Sequence, residues 1–202
     1  MRRRRPSAEV RGAILTAAEE LFAERGFPGT STKAIAERAQ VSEALVFTNF
    51  GTKAALFEAA VKDRYEAFVA EFMAEAARPE LDHTSAFELV HGFIGAFAAF
   101  LTENRNLCLS YLDYYRLAAD VSAGAAVDFA VALVDFERLL ERCGPDLGLR
   151  PTDTKLTVRA IISMVLGLVL HEELLFVGAR RPARARMLRE ITALVIDGLA
   201  ER

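Results

Sequence analysis

Two short helical segments separated by a tight break occupy residues 30 to 53 of this 202-residue chain. Thr30 or Ser31 is suited to cap the first of them, and Ser42 is suited to cap the second. Two short helices at this spacing are typical of a helix-turn-helix, in which the second helix lies in the major groove of DNA and the first crosses the phosphates. We therefore expect Thr30 to Lys53 to form a helix-turn-helix.

The composition predicts an all-α protein. Hydrophobic residues make up 52% of the chain, enough for a sizeable core, and no long run alternates β-branched residues between turns. The first helix is expected to run from a cap at Ser7 to a left-handed stop at Gly26, and a long fourth helix is expected over 53–78 after a cap at Thr52. Breaks in the pattern give about nine helices in all, the later ones near 85–103, 106–119, 125–143, 152–178 and 183–201.

These elements predict a two-domain organisation. Residues 1–6 would form a flexible basic arm, and residues 7–52 a helix-turn-helix domain with its recognition motif at about 31–50. Residues 53–202 would form a second helical domain, with the helix over 53–78 as its connector.

Charge is unevenly distributed along the chain. The net charge is -3, yet residues 1–53 hold 9 Lys and Arg against 6 Asp and Glu, which leaves +3 there and -6 in the remainder. A basic start on an acidic body suits a protein that touches DNA at one end only. Arg2 to Arg5 are expected to add salt-dependent affinity or to enter the minor groove.

Metal, redox and membrane functions have little support. Cys108 and Cys143 are far apart, without CxxC spacing or clustered His, so we expect no metal or cofactor and two reduced core thiols, with a redox sensor as the alternative. The basic start lacks the apolar run of a secretory signal, and the most apolar stretch, 160–170, is too short to cross a bilayer. The expectation is a soluble, cytoplasmic protein without a membrane contact.

The helix-turn-helix segment supplies candidate DNA contacts. Val41 and Val46 are expected to face the first two helices, while hydroxyls and free N–H groups at the start of the second helix receive phosphate. Glu43 could accept from a cytosine amino group, and Leu45 could touch a thymine methyl. A three-helix packing unit without a DNA contact is the alternative, and Phe47 and Phe50 could be packing groups. The predicted DNA-binding residues are Thr30, Ser31, Thr32, Ser42, Glu43, Ala44, Leu45, Phe47, Thr48, Asn49 and Lys53.

The segment also resembles a known family. The pattern formed by Gly26-Phe27, Ile35-Ala36, Val41-Ser42, Phe47, Asn49-Phe50, Lys53 and Leu56 is similar to the N-terminal domain of TetR transcriptional regulators over roughly residues 10 to 60. The resemblance implies a C-terminal domain that binds a small-molecule effector and passes strain to the DNA-binding domain through the fourth helix. It also implies a homodimer on a palindromic operator.

Four positions depart from the family pattern. Gln40 and Ala44 stand where glycine is frequent, so we expect either a slightly different turn conformation or a positive φ at Gln40 at some energetic cost. Phe47 replaces a tyrosine whose hydroxyl typically reaches phosphate, and Asn49 replaces a common histidine.

Aromatic residues are concentrated beyond the helix-turn-helix. Ten of the 14 Phe and all four Tyr follow residue 56, and three Phe form a stripe near 93–100. Such stripes form core more often than pocket, and both alternatives stay open here. We predict a mainly apolar or aromatic effector. The candidate ligand-binding residues are Phe93, Phe97, Tyr111, Tyr115, Met164 and His171.

The predicted helix near 152–178 indicates assembly. From 156 to 177 apolar residues occur on every face, so the helix must be buried on two sides, one of which can be a second copy of the chain. The last helix adds an apolar stripe for a four-helix interface. The predicted interface residues are Ser163, Gly167, Leu170, Leu174, Met187, Ile191, Leu194 and Val195.

The combined features predict a homodimeric, effector-responsive transcriptional regulator, most simply a repressor released from a double-stranded DNA operator. No nucleophile, base and orienting group gather at recognisable spacing, so no catalytic residue is predicted. Two alternatives stay open: an effector-independent DNA-binding regulator controlled by a protein partner, and an all-α enzyme with a hydrophobic pocket.

Overall fold

The computed structural model describes residues 6–76, 85–117, 133–134, 136–142, 144–145, 148, 153–178 and 180–199. Within these ranges every regular element is a helix, which confirms the all-α prediction. Predictions for Arg2 to Arg5, for Cys143 and for the Tyr115 side chain lie outside the described residues, as does most of the helix predicted over 125–143. No helix in the described ranges is long and apolar enough to cross a membrane.

The described helices follow the predicted order. They are α1 Ser7–Gly29, α2 Thr32–Ala39, α3 Glu43–Phe50, α4 Lys53–Ala76, α5 Ala86–Glu103, α6 Arg105–Leu117, α7 Thr154–Leu170, α8 Glu172–Leu175 and α9 Arg184–Leu199, and residues 136–142 are also helical.

Two helix predictions need correction. Ser7 is the first residue of α1 rather than its cap, because Pro6 occupies the cap position and no side chain bonds the free amides there. The helix predicted over 152–178 is interrupted at His171, whose φ of -111° and ψ of 20° leave the helical range. No glycine or proline stands at the break, although three consecutive polar residues, His171, Glu172 and Glu173, interrupt the apolar run there.

The chain divides into two compact units. Unit 1 comprises residues 1–67 and 104–125, and unit 2 comprises residues 68–103 and 126–202. This division differs from the predicted boundary at residue 53, because the first half of α4 and all of α6 share a core with α1 to α3. The largest members of that core are Ile14, Leu21, Phe22, Ile35, Val46, Leu56, Phe57, Leu107 and Tyr114.

Unit 2 is built around α5, which packs against α7 and α9. Its centre is a set of contacting aromatic rings whose centroids lie 4.5 to 6.5 Å apart. The rings belong to Phe68, Phe72, Phe93, Phe97, Phe100 and Phe136. The predicted stripe of α5 therefore packs into an aromatic core.

Candidate DNA-binding surface

The entry into α2 is fixed by Thr30. Gly26 supplies the predicted left-handed break in α1, with a φ of 69°. The buried Thr30 hydroxyl lies 3.0 Å from the carbonyl oxygen of Leu21 and 2.8 Å from that of Gly26, so it is hydrogen-bonded to the last turns of α1. The prediction of Thr30 as a DNA contact is therefore corrected, because its side chain closes the end of α1 inside the core.

The predicted helix caps and turn are present. The Ser31 hydroxyl accepts from the Ala34 amide, and the Ser42 hydroxyl accepts from the Leu45 amide, so each serine is the N-cap of its helix. Between them Gln40 has a φ of 56° and a ψ of 44°, the left-handed conformation expected from the family comparison. The Val41 amide then donates to the Ala36 carbonyl, so a carbonyl group at the C-terminal end of α2 has a hydrogen-bond donor.

Helix α3 buries one face and exposes the other. Val46 packs into the unit 1 core, while Phe47 is 47% exposed and Leu45 is 40% exposed. Ala44 and Thr48 are also exposed, and Gly51 ends the helix with a φ of 74°. The face opposite Val46 is thus a solvent-exposed strip that combines apolar and small polar groups.

The polar side chains of α3 are engaged locally. The Thr48 hydroxyl donates to the Ala44 carbonyl at 2.8 Å, and the Asn49 amide nitrogen donates to the Leu45 carbonyl at 2.7 Å. The Thr32 hydroxyl at the start of α2 donates to Oε1 of Glu43 at 2.6 Å. The single protons of the Thr48 and Thr32 hydroxyls are therefore used within the protein, whereas the Asn49 amide keeps one of its two N–H donors.

Lys53 is a structural clasp as well as a positive charge. Its ammonium nitrogen lies 2.9 Å from the Phe27 carbonyl oxygen and 3.0 Å from the Thr30 carbonyl oxygen, and it sits 4.2 Å from the centroid of the Phe27 ring. Two of its three protons are therefore used to join the start of α4 to the end of α1. One donor remains for the predicted phosphate contact.

Sequence reasoning missed Arg11. Its guanidinium lies 4.3 Å from the centroid of the Phe50 ring and donates to the Asn49 carbonyl at 3.2 Å. A cation on the last carbonyls of a helix also complements the helix dipole. Arg11 therefore steadies the C-terminal end of α3 from α1, and nothing in the local pattern pairs positions 11 and 50.

The other cations of unit 1 differ in availability. Arg38 lies 2.7 Å from Glu20 and 3.5 Å from Glu24, and hydrogen bonding to Glu20, with the nearby Glu24 charge, raises the pKa of Arg38. Its charge is thus largely balanced by carboxylates of α1. Lys33 is exposed in the first turn of α2 and could contact a phosphate, although the sequence analysis did not predict it.

The predicted ligand residues separate between the two units. Tyr111 belongs to unit 1, where its ring lies 6.3 Å from that of Phe57. In unit 2, Phe97 is buried, Phe93 and Met164 are half-buried, and His171 is exposed at the break after α7. Phe93 and Phe97 therefore share the aromatic core of unit 2, whereas Tyr111 packs within unit 1.

A buried polar pair in unit 2 was not predicted. His91 of α5 lies with Nδ1 2.9 Å from the hydroxyl oxygen of Thr192 on α9, and its ring stacks on Phe87. Thr192 is fully buried and donates to the Leu188 carbonyl. The position of Thr192 on the apolar stripe of α9 could have predicted a polar partner in the core, since a buried hydroxyl requires one.

Cys108 is a half-buried free thiol. It lies on α6 in unit 1, and burial raises its pKa to about 11. A thiol with so high a pKa is protonated at neutral pH and reacts slowly with oxidants. This supports the structural role predicted for Cys108 over the redox alternative.

The predicted interface residues also divide by exposure. Leu174 is 73% exposed and Leu194 is 69% exposed, and Ser163 is exposed as well. Gly167 and Met187 are half-buried. Three others are corrected, because they lie in the core of unit 2 and are not available to a second copy: Leu170, Ile191 and Val195.

Comparison with known proteins identifies the N-terminal segment. Residues 14–60 match the family described as bacterial regulatory proteins, tetR family. The HTH-type transcriptional repressor Rv3405c of Mycobacterium tuberculosis is 54% identical over 54 residues, which are 26% of this chain and 29% of that protein. The match therefore spans less than a third of the length of that relative.

Solved structures extend the likeness to the whole fold. A tetR-family transcriptional regulator from Streptomyces coelicolor has a TM-score of 0.71 and 21% identity, covering 94% of this chain and 80% of that chain. A bacterial regulatory protein in the tetR family from Rhodococcus has a TM-score of 0.67 and 19% identity, covering 96% and 98%. These matches establish a shared fold, with a helix-turn-helix followed by a C-terminal helical domain.

Proposed function

We propose that this chain, whose residues 14–60 match the tetR family, is a DNA-binding transcriptional regulator of that family that reads an operator with α3 and acts as a homodimer. The observation that carries the proposal is the exposed strip of α3, where Leu45 and Phe47 present apolar surface on a helix capped by Ser42. Large apolar side chains in solvent on a recognition helix fit contacts with thymine methyl groups in the major groove.

Phosphate contacts would come from the start of α2. The Thr32 and Lys33 amides of this helix have no hydrogen-bond acceptor among the described residues, and the exposed Ser31 hydroxyl keeps its own proton for donation. The partial positive charge of a helix N-terminus favours a phosphate there. Lys33 and Lys53 would add charge on either side.

Dimerisation would use the exposed apolar residues of unit 2. Leucines on α7, α8 and α9 are more than half exposed in the single chain, and Val177 after α8 is 76% exposed. Large apolar side chains exposed in this number suit an interaction site, and a regulator with one helix-turn-helix per chain needs a partner to read a palindrome. The residues concerned are Leu156, Leu174, Leu175, Val177 and Leu194.

The response to an effector would pass through α6. This helix follows α5 of unit 2 after Asn104 alone, yet its side chains pack in the unit 1 core. Tyr114 donates to Glu58 of α4 at 3.2 Å, and Ser110 donates to the Phe22 carbonyl of α1 at 3.3 Å. A small apolar or aromatic molecule that shifts α5 would therefore move a part of the DNA-binding unit. Effector and operator would then weaken each other reciprocally.

A repressor is the simplest output. The Mycobacterium tuberculosis relative, which is 54% identical over 54 residues, carries that description. Release of the operator by the effector then gives induction. An effector-independent regulator controlled by a protein partner is the competing outcome of the experiment below.

A gel-shift assay with the DNA that flanks the chain's own gene tests the proposal. The full chain is expected to shift this DNA in the presence of excess nonspecific competitor, and a panel of apolar compounds is expected to contain one that releases it. Phe47→Ala should weaken operator binding about tenfold, the size of one lost base contact. Phe87→Ala is the matched control, because Phe87 is 39% exposed but lies in unit 2.

The outcomes separate the alternatives. Equal binding by wild type and Phe47→Ala would contradict α3 as the reading helix. Specific binding that no compound of the panel relieves would favour the effector-independent regulator. Absence of any operator binding would overturn the proposed function itself.

A further inference from the structure

We propose that Thr32 is a positioning residue for base recognition: its hydrogen bond to Glu43 sets the Glu43 carboxylate to accept from the amino group of a cytosine in each operator half-site. This inference rests on the proposed function and adds to it the base that α3 reads and the residue that fixes the reading group.

The geometry of the pair supports this role. Thr32 is the first residue of α2 and Glu43 is the first residue of α3, so a 2.6 Å hydrogen bond joins the starts of the two helices. The Thr32 hydroxyl has one proton and donates it to Oε1, which leaves it no proton for a phosphate oxygen. The predicted role of Thr32 as a hydroxyl donor to phosphate therefore gives way to a role in orienting Glu43.

The second oxygen of Glu43 is available. Glu43 is half-buried, and Oε2 has no hydrogen-bond partner among the described residues. A side chain held at one oxygen loses most of its rotamer freedom before DNA arrives, so less entropy is lost when the other oxygen binds. Glutamate at the N-terminal end of a recognition helix can accept from cytosine N4 in the major groove.

The remaining chemistry of α3 favours the same base. The helix reads Glu-Ala-Leu-Val-Phe-Thr-Asn-Phe and contains no Lys or Arg, the side chains that most often recognise guanine O6 and N7. The Thr48 hydroxyl and the Asn49 amide spend donors on carbonyls of α3 itself. Glu43 would also reject thymine at that position, because thymine O4 is an acceptor and would face a carboxylate oxygen.

Selection of duplexes from a random pool with the full wild-type chain, followed by anisotropy titrations, tests the inference. One position in each half-site should require cytosine on the contacted strand, and replacing that C·G pair by T·A should weaken binding about tenfold. Thr32→Val keeps the shape but removes the proton, and the preference should fall to about twofold while affinity for nonspecific DNA and the salt slope stay unchanged. Thr32→Ser, which keeps the hydroxyl proton, should retain the wild-type preference for cytosine.

Glu43→Gln gives a second, independent readout. Glutamine recognises adenine N6 and N7, so the preferred base at that position should change from cytosine to adenine. An increase in affinity for all duplexes with no change in base preference would overturn the inference, because Glu43 would then act only by repelling phosphates.

Other results separate structural and phosphate roles. If Thr32→Val lowers the melting temperature but keeps the full cytosine preference, the hydrogen bond serves folding alone and the inference is wrong. If the variant weakens specific and nonspecific DNA equally and flattens the salt slope, Thr32 is a phosphate contact instead. Failure of wild type to enrich any duplex would count against the proposed function, whereas enrichment without a cytosine position would count against this inference only.

Discussion

Units 1 and 2 expose apolar side chains in different ways. In unit 1 two of the large exposed apolar residues, Leu45 and Phe47, stand on α3 beside hydrogen-bonded polar groups. In unit 2 the exposed leucines of α7, α8 and α9 are more numerous and more exposed, up to 73% for Leu174. The first pattern fits a groove that presents both methyl and polar groups, and the second fits a purely apolar partner. The contrast therefore agrees with the DNA-reading surface that we propose for unit 1 and the self-association surface that we propose for unit 2.

The largest expected effect comes from breaking the unit 2 surface. Leu194→Glu places a charge on α9 at a site that is 69% exposed in the single chain, so the fold should persist while the dimer dissociates. The variant should sediment as a monomer at micromolar concentration. Its operator affinity should fall about 100-fold or more, because linkage of two DNA-binding units is lost. Leu112→Glu, on α6 of unit 1, is the control and should stay dimeric.

A second comparison concerns two lysines of unit 1. Lys53→Ala removes the clasp on the Phe27 and Thr30 carbonyls and should lower the free energy of unfolding by about 2 kcal/mol. Lys33→Ala removes an exposed charge and should leave stability unchanged. Each variant should reduce the salt slope of DNA binding by about one. Denaturant titrations measure the free energy of unfolding, and salt titrations measure the slope of DNA binding. Wild-type stability in Lys53→Ala would show that the two carbonyl contacts do not stabilise the fold.

A third comparison uses the buried carboxylate of each unit. Glu19 in unit 1 lies 2.5 Å from Arg64, and Glu137 in unit 2 lies 2.5 Å from Arg159. Arg64→Met and Arg159→Met should each lower the free energy of unfolding at neutral pH by about 1–2 kcal/mol, less than for fully buried pairs because both arginines are half-exposed. Denaturant titrations of both variants measure this loss of stability. An unchanged free energy of unfolding in either variant would show that its buried carboxylate does not need the arginine.

The pH dependence of Glu19 has a definite sign. Burial raises its pKa above the ordinary 4.5, and the Arg64 charge opposes that rise. The folded chain therefore binds this proton more tightly than the unfolded chain. Its contribution favours folding most below pH 4.5 and declines as the pH rises through the raised pKa. Glu19→Gln should remove this decline from the stability profile, and an unchanged profile would contradict the assignment.

The smallest expected effect concerns the turn before α3. Gln40→Gly should raise the free energy of unfolding by about 0.5–1 kcal/mol, because glycine adopts the left-handed conformation without a Cβ clash. Glu37→Gly inside α2 is the matched control and should lower stability by about 1 kcal/mol. Denaturant titrations of the pair measure both signs. A loss of stability in Gln40→Gly would mean that the glutamine side chain is needed in the turn.

The sequence predicted local features better than distant ones. The caps at Ser42 and Thr52 depend on neighbours a few residues away, and both were predicted correctly. Ser31 was one of two candidate caps, and the positive φ of Gln40 was one of two expected conformations of the turn. The Lys53 contacts with Phe27 and Thr30 and the Arg11 contact with Phe50 join positions more than 20 residues apart. Such pairings follow from helix packing, which no local pattern specifies.

The sequence also could not predict which apolar residues of one helix lie in the core and which lie on the surface. Ile191 and Leu194 are both apolar and lie on α9, yet Ile191 is buried in unit 2 and Leu194 is exposed. Helical spacing places them on nearby faces but does not say which face meets α5. Thr30 illustrates the same limit, since its hydroxyl suits either a phosphate or the carbonyls that it bonds.

The place of α6 bears on how the chain folds during synthesis. The rings of Phe22, Phe27 and Phe57 pack together, and Tyr114 covers them with its ring centroid 4.6 Å from that of Phe27. A nascent chain that ends after α4 lacks this cover, although it already contains the whole DNA-binding motif. Unit 1 therefore completes its core only after α6 has left the ribosome, so the DNA-binding part of the protein matures late although it is made first.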